Sequence, residues 1–127
     1  MLDQDTMKRL GEDPDGLVTY EYIANHINLL DNDEMIQLVD NMTAVDRTGQ
    51  FVVSAARYLY ATDPVTYAAP INALVAAAID KDREHRYIGS LLEAMYGHDY
   101  RERADELSAA DDNFRRIYKR LYGNHAI

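Results

Sequence analysis

The stretch INALVAAAI, residues 71–79, carries apolar side chains at eight of its nine positions. A helix without a polar face belongs in the middle of a bundle, so this stretch predicts a buried central helix. It is far too short to cross a bilayer, which takes about 20 apolar residues. Pro70 stands directly before it and would cost about 3 kcal/mol inside a regular helix. We therefore expect a short turn starting at Pro64 and a break or kink at Pro70.

On both sides of this stretch, apolar residues recur every three or four positions, which is the pattern of helices with one buried stripe. Strand-like alternation is nearly absent, and aspartates that suit helix N-caps stand before or at the start of each segment. We predict an all-α protein, a single helical domain over residues 1–127, folded as a compact orthogonal bundle of six to seven helices. The capping aspartates are Asp15, Asp31, Asp46, Asp63, Asp80 and Asp99.

Helix-pair repeats are the alternative arrangement. Acidic turns at Asp13, Asp46, Asp80 and Asp111 fall about 33 residues apart, which is the length of one pair of helices. Side-chain identity between the four units is poor. The spacing hints at two-helix repeats, but the poor identity favours an irregular bundle over a true solenoid, and both arrangements stay open.

The composition restricts the chemistry that the chain can carry. It contains no cysteine, which excludes disulfides, thiolate metal sites and cysteine nucleophiles. The N-terminal residues MLDQDTMKRL have acids where a signal peptide needs positive charge, and no apolar stretch follows them. We expect a cytoplasmic protein without a membrane span.

Two segments, DPDGLVTYE at 13–21 and DRTGQFVVS at 46–54, resemble fragments of an EF-hand loop. Such a loop needs oxygen ligands at its first, third and fifth positions, glycine at the sixth and glutamate at the twelfth. With Gly16 and Gly49 as the sixth residues, Tyr22 and Ala55 occupy the twelfth position, and the first position is also nonpolar in both loops. We interpret the segments as ordinary turns that precede helices, with no metal bound.

No catalytic or cofactor-binding motif is present. The histidines lack the spacing of a helical metal site, Glu-x-x-His does not occur, and no glycine-rich phosphate loop is found. We expect no enzyme activity, no cofactor and no metal. A small enzyme whose site assembles from distant residues, such as His26, His85 and Asp99, remains an alternative.

The charge of −9 is polarised along the chain. Residues 1–46 hold eleven acids and two bases, whereas residues 47–127 hold eleven of each. This distribution predicts a protein partner with a basic surface and argues against direct nucleic-acid binding. The predicted partner-binding residues are Asp13, Asp15, Tyr20, Asp31, Asp33 and Glu34.

Ten tyrosines against two phenylalanines and no tryptophan are an unusual aromatic balance. Tyrosine is enriched at protein interfaces, although the rings could also cap the edges of the core with their hydroxyls in water. The C-terminal segment is the one basic amphipathic helix. It suits the last helix of a bundle, or a contact with the acidic third, either within the chain or head to tail between subunits. A nucleic-acid or membrane-surface role is the third interpretation, and four bases on a single helix of an acidic protein are too few to favour it. Its bases are Arg115, Arg116, Lys119 and Arg120.

These features predict a non-catalytic interaction module: an adaptor, assembly component or inhibitor that acts through an acidic, tyrosine-bearing surface, with homo-oligomers possible. One alternative is an acidic nucleic-acid mimic that inhibits a DNA- or RNA-binding protein. A degenerate EF-hand-like helical domain and the small enzyme described above are the others. All of these hypotheses are compatible with a single small domain of 127 residues, 28% of them charged.

Overall fold

The computed structural model describes residues 2–123, and within that range the chain is all-helical, as predicted. It forms eight helices there rather than six to seven, because the short N-terminal helix α1 adds to the predicted segments. The helices are α1 (Gln4–Gly11), α2 (Leu17–His26), α3 (Asn32–Val45), α4 (Gln50–Thr62), α5 (Ala68–Lys81), α6 (Gly89–Tyr96), α7 (Ala104–Ala110) and α8 (Asp112–Tyr122).

The contacts between helices follow two rows. Helices α1, α3 and α5 contact one another in sequence, and α2, α4, α6 and α8 do the same. Contacts of α2 with α3, α3 with α4, α4 with α5 and α5 with α8 join the rows. The buried apolar side chains form one cluster between them. Each helix of the second row therefore has a neighbour of the same row beside it, which creates a continuous face across α2, α4 and α6.

Helix α5 contains the stretch that predicted a central helix, and it packs against α3, α4 and α8. The prediction that it lacks an exposed face is wrong, because Ala73 and Ala76 are exposed beside the polar Asn72. Alanine occurs both in protein cores and on surfaces, so the many alanines of this stretch do not show which side of α5 faces solvent. The predicted break at Pro70 is also absent. Pro70 is the third residue of α5, where a backbone N–H has no partner within the helix.

Three buried aspartates follow α1, α3 and α5, and each anchors the helix that comes next. Their carboxylates accept backbone N–H groups of the loop or of the next helix start at 2.7–3.2 Å. The prediction that Asp80 starts a helix is wrong, because Asp80 lies exposed near the end of α5. The three anchors are Asp13, Asp46 and Asp82, with exposed fractions of 5%, 1% and 2%.

Consecutive loops lie against one another through a glycine. Gly16 has a φ of +108° and Gly49 a φ of +92°, in the left-handed region that favours glycine. A Cβ atom at Gly16 would lie 3.4 Å from the Asp46 Cβ, and one at Gly49 would lie 3.1 Å from the Asp82 Cβ. Each glycine therefore touches the buried aspartate of the following loop. His85, with a φ of +58°, occupies the corresponding place in the third loop.

All ten tyrosines are partly buried and pack against the core, so the alternative that they cap its edges describes the structure best. The densest aromatic group surrounds Phe114 of α8, whose ring centroid lies 5.0 Å from Tyr96 and 5.3 Å from Tyr118. Asp111 starts α8 by accepting the Phe114 N–H at 3.1 Å. The periodic apolar stripe predicted for the last helix is thereby confirmed on Phe114 and Ile117, both fully buried.

Candidate partner-binding surface

Asp13, the first predicted partner-binding residue, does not face solvent. Its carboxylate accepts the backbone N–H groups of Asp15, Gly16 and Thr19 and the Thr19 hydroxyl, the last at 2.7 Å. Burial raises the pKa of this carboxyl, but the hydrogen bonds from Thr19, Gly16 and Asp15 together hold the pKa below its ordinary value. The carboxylate is fully used in holding the start of α2, and we omit it from the partner surface.

The remaining acids of the predicted set form two groups rather than one surface. Asp15 is exposed in the loop before α2, whereas Asp31 is the N-cap of α3, beyond the other end of α2. The ten residues of α2, about 15 Å of helix, stand between the two groups in the chain. Asp31 and Glu34 form a capping box, in which each side chain accepts the other residue's backbone N–H. Asp33 lies exposed in the same first turn.

Tyr20, the aromatic member of the predicted set, lies on the continuous face of α2, α4 and α6. Its ring meets the Tyr58 ring of α4 edge to face, with centroids 6.3 Å apart. This pair lines an open hollow of about 400 Å³ between the helices. Polar and small side chains complete the wall, so the hollow offers both ring surface and hydrogen-bonding groups. Its lining consists of Tyr20, Ser54, Arg57, Tyr58, Ala61 and Ala94.

A second open hollow of about 440 Å³ continues from the first toward the end of α6. Arg57 and Ala94 line both hollows, so the two form one groove, which we call the tyrosine groove. Arg57 is exposed and makes no ion pair with any described residue. At the far end, His98 Nδ1 lies 2.5 Å from a Glu93 carboxylate oxygen. Among residues 2–123, the Arg57 guanidinium has no ion-pair partner, and it lines both halves of the groove.

The sequence did not single out the α4 residues of this groove. A signal was present, because Ser54, Arg57, Tyr58 and Ala61 are spaced i, i+3, i+4 and i+7, a stripe opposite the buried apolar face of α4. Apolar periodicity identifies which face of a helix is buried. It does not identify which polar face lies beside another helix, and Tyr20 reaches Tyr58 only through the α2–α4 contact.

The residues proposed for a site assembled from distant positions do not meet. His85 precedes α6 and lines a hollow with Arg116, Lys119 and Arg120 of α8, whereas Asp99 follows α6 and pairs with Arg103. His26 is stacked on Tyr22 at 4.0 Å, and its Nδ1 lies 2.9 Å from the Tyr22 carbonyl oxygen. Within residues 2–123, no group of three or more histidine or carboxylate side chains could hold a metal ion.

The two EF-hand-like loops use their aspartates differently from a calcium loop. Asp46 accepts the backbone N–H groups of Thr48, Gly49, Phe51 and Val52, as Asp13 does in its own loop. Both oxygens of each carboxylate point toward these donors rather than toward a common centre with other oxygen ligands. The shared aspartate and glycine are thus explained by the hydrogen bonding of the two loops.

No helix within residues 2–123 has the length and apolar character needed to span a membrane. No protein-family model matches the chain, and no curated protein or solved structure matches it. Its function is therefore inferred from its own residues, of which the tyrosine groove is the most distinctive arrangement of ring surface and unpaired charge.

Proposed function

We propose that the protein is a non-catalytic interaction module that binds a segment of a protein partner in the tyrosine groove. The observation that carries this proposal is the position of Arg57, unpaired among the described residues, between the two halves of the groove and next to Tyr58. Tyrosine and arginine are enriched among the side chains that contribute most to binding at protein interfaces. An acceptor on the partner, either a backbone carbonyl or a carboxylate, would satisfy the guanidinium.

The acidic groups beside α2 support the second part of the proposal, a partner that is basic around the segment it inserts. Asp15 lies before the start of α2, and Asp31 and Asp33 lie after its end. Opposite charges around an interface accelerate association and select against wrong partners, more than they add affinity. A cytoplasmic location and homo-oligomers stay predictions from the sequence, as does the absence of enzyme activity. The nucleic-acid mimic also stays a prediction.

We further propose that the bundle is built from helix pairs related as repeats. Support comes from the common role of Asp13, Asp46 and Asp82 and from the contacts of Gly16 and Gly49 with the following aspartate. The two rows of helix contacts agree with such a stack. A stack of pairs exposes one long face, which is the kind of surface that repeat proteins use for extended partners.

The test is affinity capture from a cell extract with the wild-type chain, an Arg57→Glu variant and an Arg9→Glu control. Both arginines are exposed and both changes alter the net charge equally. We expect one partner to be retained by the wild type and the control and to be lost with Arg57→Glu. The groove is not the binding site if Arg57→Glu retains that partner as well as the control does, and no retained partner at all contradicts the interaction function.

A second pair of variants tests the acidic groups separately. Asp15→Asn combined with Asp33→Asn should slow association with the captured partner, most clearly at low salt. Asp105→Asn combined with Glu106→Gln removes the same charge from α7 and serves as the matched control. Equal association rates for the two double variants, measured by surface plasmon resonance, would remove the acidic groups from the proposal and leave the groove.

A further inference from the structure

Two hollows lie on either side of the loop that joins α5 to α6, and basic side chains dominate both. The first, of about 210 Å³, is lined by four of them: Arg47, Lys81, Arg83 and Arg86. The second, of about 460 Å³, is lined by Arg116, Lys119 and Arg120 of α8 together with His85. These seven lysine and arginine side chains come from three separate parts of the sequence. Residues of the segment 79–87 line both hollows, so the hollows adjoin along this segment, and we call the seven cations the basic face.

Ion pairs within residues 2–123 leave most of the basic face unneutralised. Arg86 pairs with Glu84 at 2.6 Å, but none of the other six cations makes an ion pair with a described residue. Asp82 also lines the first hollow, yet its carboxylate accepts the backbone N–H groups of Arg86, Tyr87 and Ile88. The positive charge is therefore available to a ligand.

The ratio of bases to acids in the basic face differs strongly from the ratio in the rest of the chain. The basic face holds seven of the 13 lysines and arginines and two of the 22 acids, so six bases and 20 acids remain elsewhere. A folded chain with this excess of acid could have paired its bases internally. Their concentration around these two hollows, whose lining includes only Asp82 and Glu84 as acids, would attract a polyanion to the basic face.

The lining of the basic face favours phosphates over an acidic protein. Five of its seven cations are arginines, whose planar guanidinium binds phosphate oxygens in pairs. Protein interfaces also depend on apolar or aromatic anchors. Tyr87 lines the first hollow and Ile79 the second, but Tyr87 is half-buried against the core and Ile79 is fully buried. None of the large hydrophobic side chains that the described residues expose lines either hollow.

We propose that the basic face binds the phosphate backbone of nucleic acid without reading its sequence. The prediction of no nucleic-acid binding rested on the acidic first third of the chain and on the four bases of the last helix, three of which line the second hollow. The fold adds Arg47, Lys81, Arg83 and Arg86 beside them. None of these residues lines the tyrosine groove, so each of the two proposals can be wrong without affecting the other.

The test is fluorescence anisotropy of a labelled DNA duplex of about 20 base pairs, titrated with the full chain. We expect binding in the range of about 10⁻⁴ to 10⁻⁶ M, typical of contacts with the backbone alone. If about four phosphates are contacted, raising the salt from about 50 to about 200 mM weakens binding about a hundredfold. No binding at the lower salt overturns the proposal.

The variant Arg83→Glu with Lys119→Glu changes one exposed cation in each hollow. We expect it to weaken DNA binding by about tenfold or more, with a smaller slope of affinity against salt. The control, Lys8→Glu with Arg9→Glu, makes the same change of net charge on α1 and should stay within about twofold of the wild type. Equal losses in the two variants overturn the proposal.

Two further measurements, a check of folding and a competition experiment, complete the test. Circular dichroism establishes that each variant is folded, and Arg47→Glu with Arg116→Glu replaces the first pair if that pair unfolds the chain. Polyglutamate of the same charge as the duplex is then added as a competitor. We expect it to displace the DNA poorly, and displacement as complete as that by unlabelled duplex would assign the face to an acidic protein instead.

Discussion

Gly49 lies so close to Asp82 that a Cβ atom on the glycine would come within 3.1 Å of the Asp82 Cβ and 3.4 Å of its backbone nitrogen. Asp82 cannot easily move away, because its carboxylate holds three N–H groups at the start of α6. The φ of Gly49 is +92°, which side chains with a Cβ rarely adopt. Position 49 therefore requires glycine for two independent reasons: the close approach of Asp82, which we call the Gly49–Asp82 contact, and the positive φ.

The first prediction concerns the Gly49–Asp82 contact. Gly49→Ala should lower the free energy of unfolding by about 1–3 kcal/mol, through backbone strain and the contact with Asp82. Urea denaturation followed by circular dichroism measures the change. Gly11→Ala is the matched control, since nothing lies within 4 Å of its added Cβ atom and its φ is not positive. It should be neutral or stabilise by up to about 1 kcal/mol, and equal losses in both variants would contradict the role given to the Gly49–Asp82 contact.

The second prediction concerns pH. The pKa of Asp13 is below its ordinary value, so its carboxylate stabilises the fold fully above the unfolded pKa of about 3.9. The contribution is lost as the pH falls through the lower folded pKa. Asp13→Asn should therefore cost about 1–3 kcal/mol at neutral pH, and its deficit against the wild type should shrink below about pH 4.

Denaturation of both proteins at about pH 7 and about pH 3 measures this difference. Asp40→Asn, on the exposed side of α3, removes an equal charge and should change stability by less than about 0.5 kcal/mol at neutral pH. A deficit of Asp13→Asn that stays constant down to about pH 3 would show that the ionised carboxylate is not the stabilising species.

The third prediction compares two buried hydroxyls. Tyr60 donates its hydroxyl hydrogen to the Met95 carbonyl oxygen at 2.9 Å, whereas the buried Tyr96 hydroxyl has no hydrogen-bond partner among the described residues. Burial, and next the nearby Asp111 carboxylate, raise the pKa of Tyr96, so the hydroxyl is neutral at all ordinary pH values.

Tyr60→Phe should cost about 1 kcal/mol, because it removes a satisfied hydrogen bond and leaves a carbonyl without its donor. Tyr96→Phe should be neutral or stabilising, because a buried hydroxyl without a partner opposes folding. Thermal unfolding of the two variants side by side decides the matter. A larger loss for Tyr96→Phe than for Tyr60→Phe would reveal a hydrogen bond of Tyr96 that the structure does not contain.

The fourth prediction uses the third loop as a comparison with the first two. His85 has a φ of +58°, where Gly16 and Gly49 occupy the corresponding places. His85→Gly should raise the free energy of unfolding by about 0.5–1 kcal/mol, because strain of about 1–2 kcal/mol exceeds the entropy cost of glycine. Arg86→Gly, in the same loop without a positive φ, should instead destabilise. The prediction fails if both glycine variants lose stability in urea denaturation.

Much of the fold could be predicted from the sequence because helix signals are local. The stripe of α8 and the capping aspartate of α3 are each contained in a few neighbouring residues, and both are present in the structure. The errors arose where two local readings compete. Asp80 and Asp82 are two positions apart, but Asp80 lies exposed within α5, whereas Asp82 is buried and accepts three backbone N–H groups before α6.

Less of the candidate surfaces could be predicted, because they depend on residues that are distant in the chain. Tyr20 could be named from the tyrosine content, but its partner Tyr58 is 38 positions away and meets it only through helix packing. The basic face joins Arg47 to Arg116 in the same way. Asp13 shows the opposite error: the sequence predicts an exposed acid, but the residue is buried because its carboxylate accepts hydrogen bonds from the loop and from α2.

The series of glycine-to-aspartate contacts also has a last member. Gly16 and Gly49 are bare on the side where the next loop lies, whereas His85 carries an imidazole that lines the second basic hollow beside α8. The third loop thus carries a side chain at the position where the first two loops have glycine, and this side chain forms part of the wall of the second basic hollow.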